Sequence, residues 1–359
     1  MTDFTRRGVL QASGVILASS TAVAADAPAA PLRLCYNENP FGPSERAKQA
    51  MAVAAEKSWQ YPYETIGLLR QMIAGHEGLA PENVIISEGS GELLKLAALI
   101  HSADTKEVVA ARPAFPMLAH YAAKRGARVV WVDLDKDFRH DLAAMQARTG
   151  ARTSLVYVCN PNNPSGTVLD TGALRQFIAA IPQQALVVVD EAYVDYADDP
   201  AATTVIDQVK AGRNVFITRS FSKIHGLAGA RIGYGLARPD IIRAFENMRI
   251  SIPNRAGLVA ALASFGDKAF LAHSRTATRA SLDFTRKAFD DMGVRYAPSQ
   301  ASFLMFDVRR DGAVFVENMR KRGILLNVVQ DTPSTWVRVS MGRMEDMQRF
   351  VTVLKSIMA

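Results

Sequence analysis

Leu186-Val187-Val188-Val189-Asp190-Glu191-Ala192-Tyr193 is the stretch that decides the architecture. Its four apolar residues, three of them β-branched, show no polar alternation. A strand of this kind must be covered on both faces, as in a parallel sheet flanked by helices. Outward from it, residues 84–87, 107–111, 128–132, 153–159, 185–190, 215–218 and 231–236 read as strands. Amphipathic stretches lie between them, with helices predicted over 92–100 and 115–124. The alternation predicts an α/β fold whose large domain holds a mostly parallel sheet flanked by helices. After Pro253 the pattern changes. Strand candidates at 303–307, 324–326 and 337–341, with helices over 313–322 and 345–358, predict a small α+β domain.

Composition narrows the function. The 359 residues are 49% hydrophobic and 21% charged, which excludes wholesale disorder. Two cysteines, Cys35 and Cys159, exclude a disulfide-rich scaffold and a cysteine-based zinc cluster. The six histidines show no metal-ligand spacing. No basic tract stands out behind the formal charge of +7, so the reading is a mixed solvated surface rather than a nucleic-acid face.

The first residues read as an address. Arg6-Arg7 is followed by small and apolar residues ending in Ala22-Val23-Ala24. A charged start, a short apolar middle and an A-x-A end form the pattern of a cleaved export signal, and the paired arginines resemble a twin-arginine signal. The expected organisation is an export signal over 1–24, an N-terminal arm and linker over 25–60, a large domain over 61–252 and a small domain over 253–359. The expected location is the periplasm or another exported compartment, reached through the twin-arginine machinery, without a stable membrane anchor. If the signal does not function, the location is the cytoplasm.

Ligands of α/β folds bind beyond the carboxyl ends of the strands, and four polar clusters fall there. Asp190 closes its strand; buried, it needs a partner, either a protonated ring nitrogen or the backbone of a helix that it caps. Thr218-Arg219-Ser220-Phe221-Ser222-Lys223, with Arg231 beyond, offers an amine, hydroxyls and a guanidinium. A desolvated lysine near other cations loses its proton readily and forms a Schiff base; the bland alternative is a solvated loop lysine. Gly89-Ser90-Gly91 opens a helix whose free N–H groups suit a phosphate, without a Walker pattern. Cys159-Asn160-Pro161-Asn162-Asn163-Pro164-Ser165-Gly166 is either a tight turn or a rigid mount for the Asn163 amide. Cys159 reads as a packed strand end.

In this order, the motifs resemble fold type I pyridoxal phosphate (PLP) enzymes, most closely histidinol-phosphate aminotransferases. Asn37-Glu38-Asn39-Pro40-Phe41-Gly42 and Tyr61-Pro62 look like that family's N-terminal motifs. The resemblance implies that Lys223 binds the cofactor aldehyde as an imine and then moves the substrate Cα proton. It implies that Asp190 keeps the pyridine nitrogen protonated, that Phe115 stacks on the ring, and that Asn163 and Tyr193 bond the phenolic oxygen. The phosphate is expected among Ser90, Gly91, Ser220, Ser222 and Arg231, and Tyr61 is expected to reach the other subunit's cofactor in a homodimer. Arg338 is expected to take the substrate carboxylate, with Asn39 and Asn327 beside the substrate. The implied reaction transfers an amino group from an amino acid or related amine to a 2-oxo acid.

Two departures bear on the substrate. Members that use a phosphorylated substrate typically carry an arginine after the stretch matching Gly323-Ile324-Leu325-Leu326, where this chain has Asn327. An asparagine gives a phosphate no charge-assisted fork. Histidine biosynthesis is also cytoplasmic, which an exported enzyme does not fit. The expectation is a donor other than histidinol phosphate, such as an aromatic or other free amino acid. The alternatives are a PLP decarboxylase, lyase or racemase, and a non-enzymatic binder of small anions.

Overall fold

A computed structural model describes residues 30–358; the expected export signal lies outside them. The strands are β1 (Leu32–Arg33), β2 (Val84–Ser87), β3 (Glu107–Arg112), β4 (Arg128–Asp133), β5 (Thr153–Cys159) and β6 (Leu186–Asp190). They continue with β7 (Val215–Ser220), β8 (Gly233–Leu236), β9 (Phe303–Asp307), β10 (Ile324–Leu325), β11 (Asn327–Val328) and β12 (Trp336–Ser340). Seven of them form the main sheet in the order β2-β8-β7-β6-β5-β3-β4. Only β8 runs against its neighbours. The carboxyl ends of β2, β3, β5, β6 and β7 therefore share one edge of the sheet.

The decisive run behaves as its composition requires. Val187 and Val189 enter one apolar core while Leu186 and Val188 enter a second on the opposite face. Val156 and Val158 against Leu155 and Tyr157 divide the same way along β5. Alternate side chains of a strand point to opposite faces, so one sheet organises two cores.

The boundary between the large and small parts differs from the sequence reading. The helix Arg255–Phe265 puts Leu258, Ala260 and Ala261 into the large-domain core and packs against the helix Glu45–Ala55. Both helices belong with the main sheet, and the passage to the smaller lobe comes after Phe265 rather than at 253. A helix whose small and apolar residues fit either lobe leaves no mark of which it covers. The lobe itself holds an antiparallel sheet β11-β12-β9, the 24-residue helix Lys268–Asp291 and the helix Met344–Met358. The strand expected over 324–326 is shortened to β10, which pairs in parallel with β1 of the N-terminal arm, and a further strand, β11, follows it and pairs with β12. Leu34 and Ile324 lie together in the small lobe's core.

A buried ion cluster ties β6 to β7 beneath the sheet edge. Arg219 donates Nε to Glu191 at 2.9 Å, Nη1 to Glu77 at 2.7 Å and Nη2 to Thr204 Oγ1 at 2.8 Å. No helix among the described residues is long and apolar enough to cross a membrane.

Candidate active site

A cavity of about 620 Å³ opens where the strand ends meet the N-terminal arm and the small lobe. One corner is built for an anion. Gly89 has φ +79°, which favours glycine, and a Cβ there would lie 2.4 Å from Arg231 Nη2 and displace the guanidinium. Arg231 Nη1 donates to Ala228 O at 2.9 Å and Ser222 Oγ at 3.4 Å, and Nη2 to Glu88 O at 3.3 Å. The helix Ser90–His101 starts at this corner, and Ser90, Gly91, Ser220 and Ser222 line it. Gly233 lets the strands come close; a Cβ on it would lie 2.4 Å from Ser90 N.

Deeper in, Asp190 is only 3% exposed. Its Oδ1 accepts from Thr218 Oγ1 at 3.0 Å and Ala192 N at 3.2 Å, and its Oδ2 from Tyr157 OH at 3.3 Å. Burial pushes its carboxyl up to about 6, against the pull of these donors and of Lys223. The capping alternative is not realised: the next helical turn, Val194–Tyr196, has Tyr193 at its N-cap position and no side-chain cap, and Asp190 lines the cavity. Cys159, as expected, is a buried strand end whose thiol is pushed up by burial.

Lys223 Nζ donates to the carbonyls of Tyr36 and Asn37, each at 3.3 Å, and lies 5.3 Å from the centre of the Tyr193 ring. Tyr193 OH accepts from Asn37 Nδ2 at 2.9 Å. Phe115 lines the same cavity. Arg338 donates Nη1 to Asn163 Oδ1 at 2.6 Å and Nη2 to Cys35 O at 2.9 Å, while its buried Nε has no partner. Burial lowers the Arg338 guanidinium from its ordinary value. Asn327 donates Nδ2 to Cys35 O at 2.5 Å.

One expected residue stands elsewhere. Asn39 does not line the cavity: its Nδ2 donates to Ile224 O at 2.7 Å and Ser274 Oγ at 3.1 Å, and its Oδ1 accepts from Phe41 N at 3.0 Å. Asn37, held at φ 54° with its side chain between Tyr193 and Ser340, takes the place on the wall. Tyr61 is 77% exposed and stays outside its own chain's cavity. The sequence reading also missed Tyr157 and Thr218, which look like ordinary strand residues until β5 and β7 flank Asp190.

The residues suit PLP at both ends. The glycine-shaped corner at Arg231 matches a phosphate, and the buried carboxylate of Asp190, costly alone, matches a protonated ring nitrogen. A profile described as "Aminotransferase class I and II" matches residues 30–354. The chain belongs to the class I and II aminotransferases. It is a PLP-dependent enzyme with the fold type I architecture. The aminotransferase is 38% identical over 331 residues to a histidinol-phosphate aminotransferase of Moorella thermoacetica, covering 91% of this chain and 86% of that one. The histidinol-phosphate aminotransferase of Sinorhizobium meliloti, solved in complex with pyridoxal-5'-phosphate, is 30% identical with a TM-score of 0.85. That match covers 91% of this chain and 92% of the other. A putative histidinol-phosphate aminotransferase from Erwinia carotovora atroseptica superposes with a TM-score of 0.88 at 28% identity, covering 91% and 96%.

Proposed function

We propose that the aminotransferase takes its amino group from a free amino acid, outside the cytoplasm, and that histidinol phosphate is not its physiological donor. The carrying observation is Arg338. It lies apart from the phosphate corner, backed by Cys35 O and Asn163, and a planar carboxylate suits its fork. At the position where a second arginine would receive a substrate phosphate, Asn327 donates one amide N–H to Cys35 O and supplies no charge.

The geometry supports the following residue roles. PLP supplies an electron sink for the bond broken at the substrate Cα. Lys223 Nζ anchors the cofactor and then carries the proton away from Cα. Asp190 keeps the ring nitrogen protonated, and its three hydrogen bonds hold the carboxylate in place for this. Arg231, Ser220, Ser222 and the backbone of Ser90 and Gly91 take the phosphate, while Phe115 covers the ring. Asn163 and Tyr193 serve the phenolic oxygen, Asn163 with its oxygen already oriented by Arg338. The enzyme acts as a homodimer in which Tyr61 reaches the neighbouring cofactor. Trp59, Tyr61 and Tyr63, between 65% and 80% exposed, support such a covered face.

A steady-state comparison of free amino acids with histidinol phosphate, using a 2-oxo acid acceptor, tests the donor. Turnover of histidinol phosphate above every other donor refutes it. Fractionation of cells carrying Arg6→Lys and Arg7→Lys tests the location; an unchanged distribution refutes the twin-arginine route.

A further inference from the structure

Five charged side chains line the cavity: Asp190, Lys223, Arg231, Arg338 and Asp331. The proposed chemistry uses the first four. Asp331 has no role in it, and no lining cation is left to neutralise it. Arg112, whose guanidinium senses the Asp331 charge, donates Nε to Asp133 at 2.6 Å. At this rim Arg112 is thus bonded to Asp133 rather than to Asp331.

The position of Asp331 relative to Arg338 is informative. Asn327 sits opposite Arg338 across β11 and β12. From there the wall runs through Val328, Val329 and Gln330 to Asp331, in the loop that Val329 N closes on Trp336 O at 3.0 Å. Four residues of chain reach at most about 14 Å. Beyond the guanidinium suited to an α-carboxylate, this wall offers a substrate side chain the exposed Val328, the amide of Gln330 and the carboxylate of Asp331. That sequence of surfaces complements an apolar stem carrying a terminal cation.

We infer that the aminotransferase selects donors with a cationic head on an apolar stem, the class of the basic amino acids, and that Asp331 is the residue that selects them. This rests on the reading of Arg338 as the α-carboxylate site of a free amino acid. A phosphorylated donor meets repulsion at the same rim.

The test uses the holoenzyme, the variant Asp331→Asn, and two donors of nearly equal shape and different charge, L-arginine and L-citrulline. Asparagine tolerates the φ of 56° found at this exposed position, so the loop keeps its form. The wild type is expected to favour arginine by about fivefold in kcat/KM, the upper range for an exposed charge pair. The preference resides in KM, shrinks at high salt, and falls close to unity in Asp331→Asn. An arginine-to-citrulline ratio unchanged by the substitution overturns the inference. So does a wild type that prefers citrulline, or one that turns over neutral donors and no basic one. Histidinol phosphate outrunning both donors overturns the underlying donor reading instead, and it is read on a separate substrate from the ratio.

Discussion

Replacing Asp190 by asparagine separates the cost of the buried carboxylate from its use. The carboxyl is pushed from 3.8 to about 6 by burial. A shift of this size corresponds to about 3 kcal/mol of folding free energy at neutral pH. The sign follows from the raised value. The folded state holds the proton more tightly than the unfolded one, so the group's contribution is fully present below pH 3.8 and is lost as pH rises through about 6. An amide keeps the shape, still accepts from Thr218 and Ala192, and can donate to Tyr157 OH in place of accepting. Freed of PLP, Asp190→Asn is therefore expected to unfold about 4 °C higher than the wild type at neutral pH, by the usual size scaling of unfolding entropy. The difference should vanish near pH 4. With PLP bound the order reverses, because only the carboxylate gains a cationic partner, and turnover falls by orders of magnitude. Thermal unfolding of the PLP-free and loaded proteins across pH 4–8 measures this. A PLP-free variant less stable than the wild type at neutral pH, or a difference independent of pH, refutes the reasoning. Such an exchange of stability for function is common where a site needs a strained charge.

Lys223→Ala should abolish turnover, and borohydride reduction of the wild type should place the pyridoxyl label on the peptide containing Lys223; a label elsewhere refutes the assignment. Gly89→Ala drives a methyl to 2.4 Å from Arg231 Nη2. It should weaken PLP affinity at least tenfold by absorbance titration while circular dichroism stays unchanged. Glu191→Gln leaves Arg219 with one carboxylate in a buried setting and should cost about 3 kcal/mol in denaturant unfolding, the lower range for a broken buried pair. Asn327→Arg restores a guanidinium to the wall; histidinol phosphate turnover should rise at least tenfold in kcat/KM, which steady-state kinetics would show.

The sheet was legible because its central strands are buried on both faces and carry that burial as continuous apolar runs. The chemistry was legible because strand ends concentrate it: Asp190, Lys223, Arg231 and Asn163 all line the one cavity. What was hidden is of another kind. β1, β10 and β11 are two residues long, too short for any period to register. Asn37 and Asn39 have identical chemistry two positions apart, and only the backbone at Asn37 decides which of them faces the cavity. Tyr157 reads as one more apolar residue of β5 because its hydroxyl acquires meaning only beside a neighbouring strand. The helix over 255–265 carries no sign of which lobe it covers, since burial against either would select the same residues.

The arm that begins with β1 has a consequence for the order of assembly. Its carbonyl at Cys35 accepts from Arg338 and Asn327, those at Tyr36 and Asn37 accept from Lys223, and the Arg338 bond spans 303 positions of chain. Contacts so distant in sequence are slow to form, because the whole intervening loop must close first. The ribosome makes this wall of the reactive pocket 303 residues before the arginine of the strand that secures it. A nascent chain stopped short of Trp336 would own its main sheet and its lysine, yet lack the clasp that gives the lysine its surroundings.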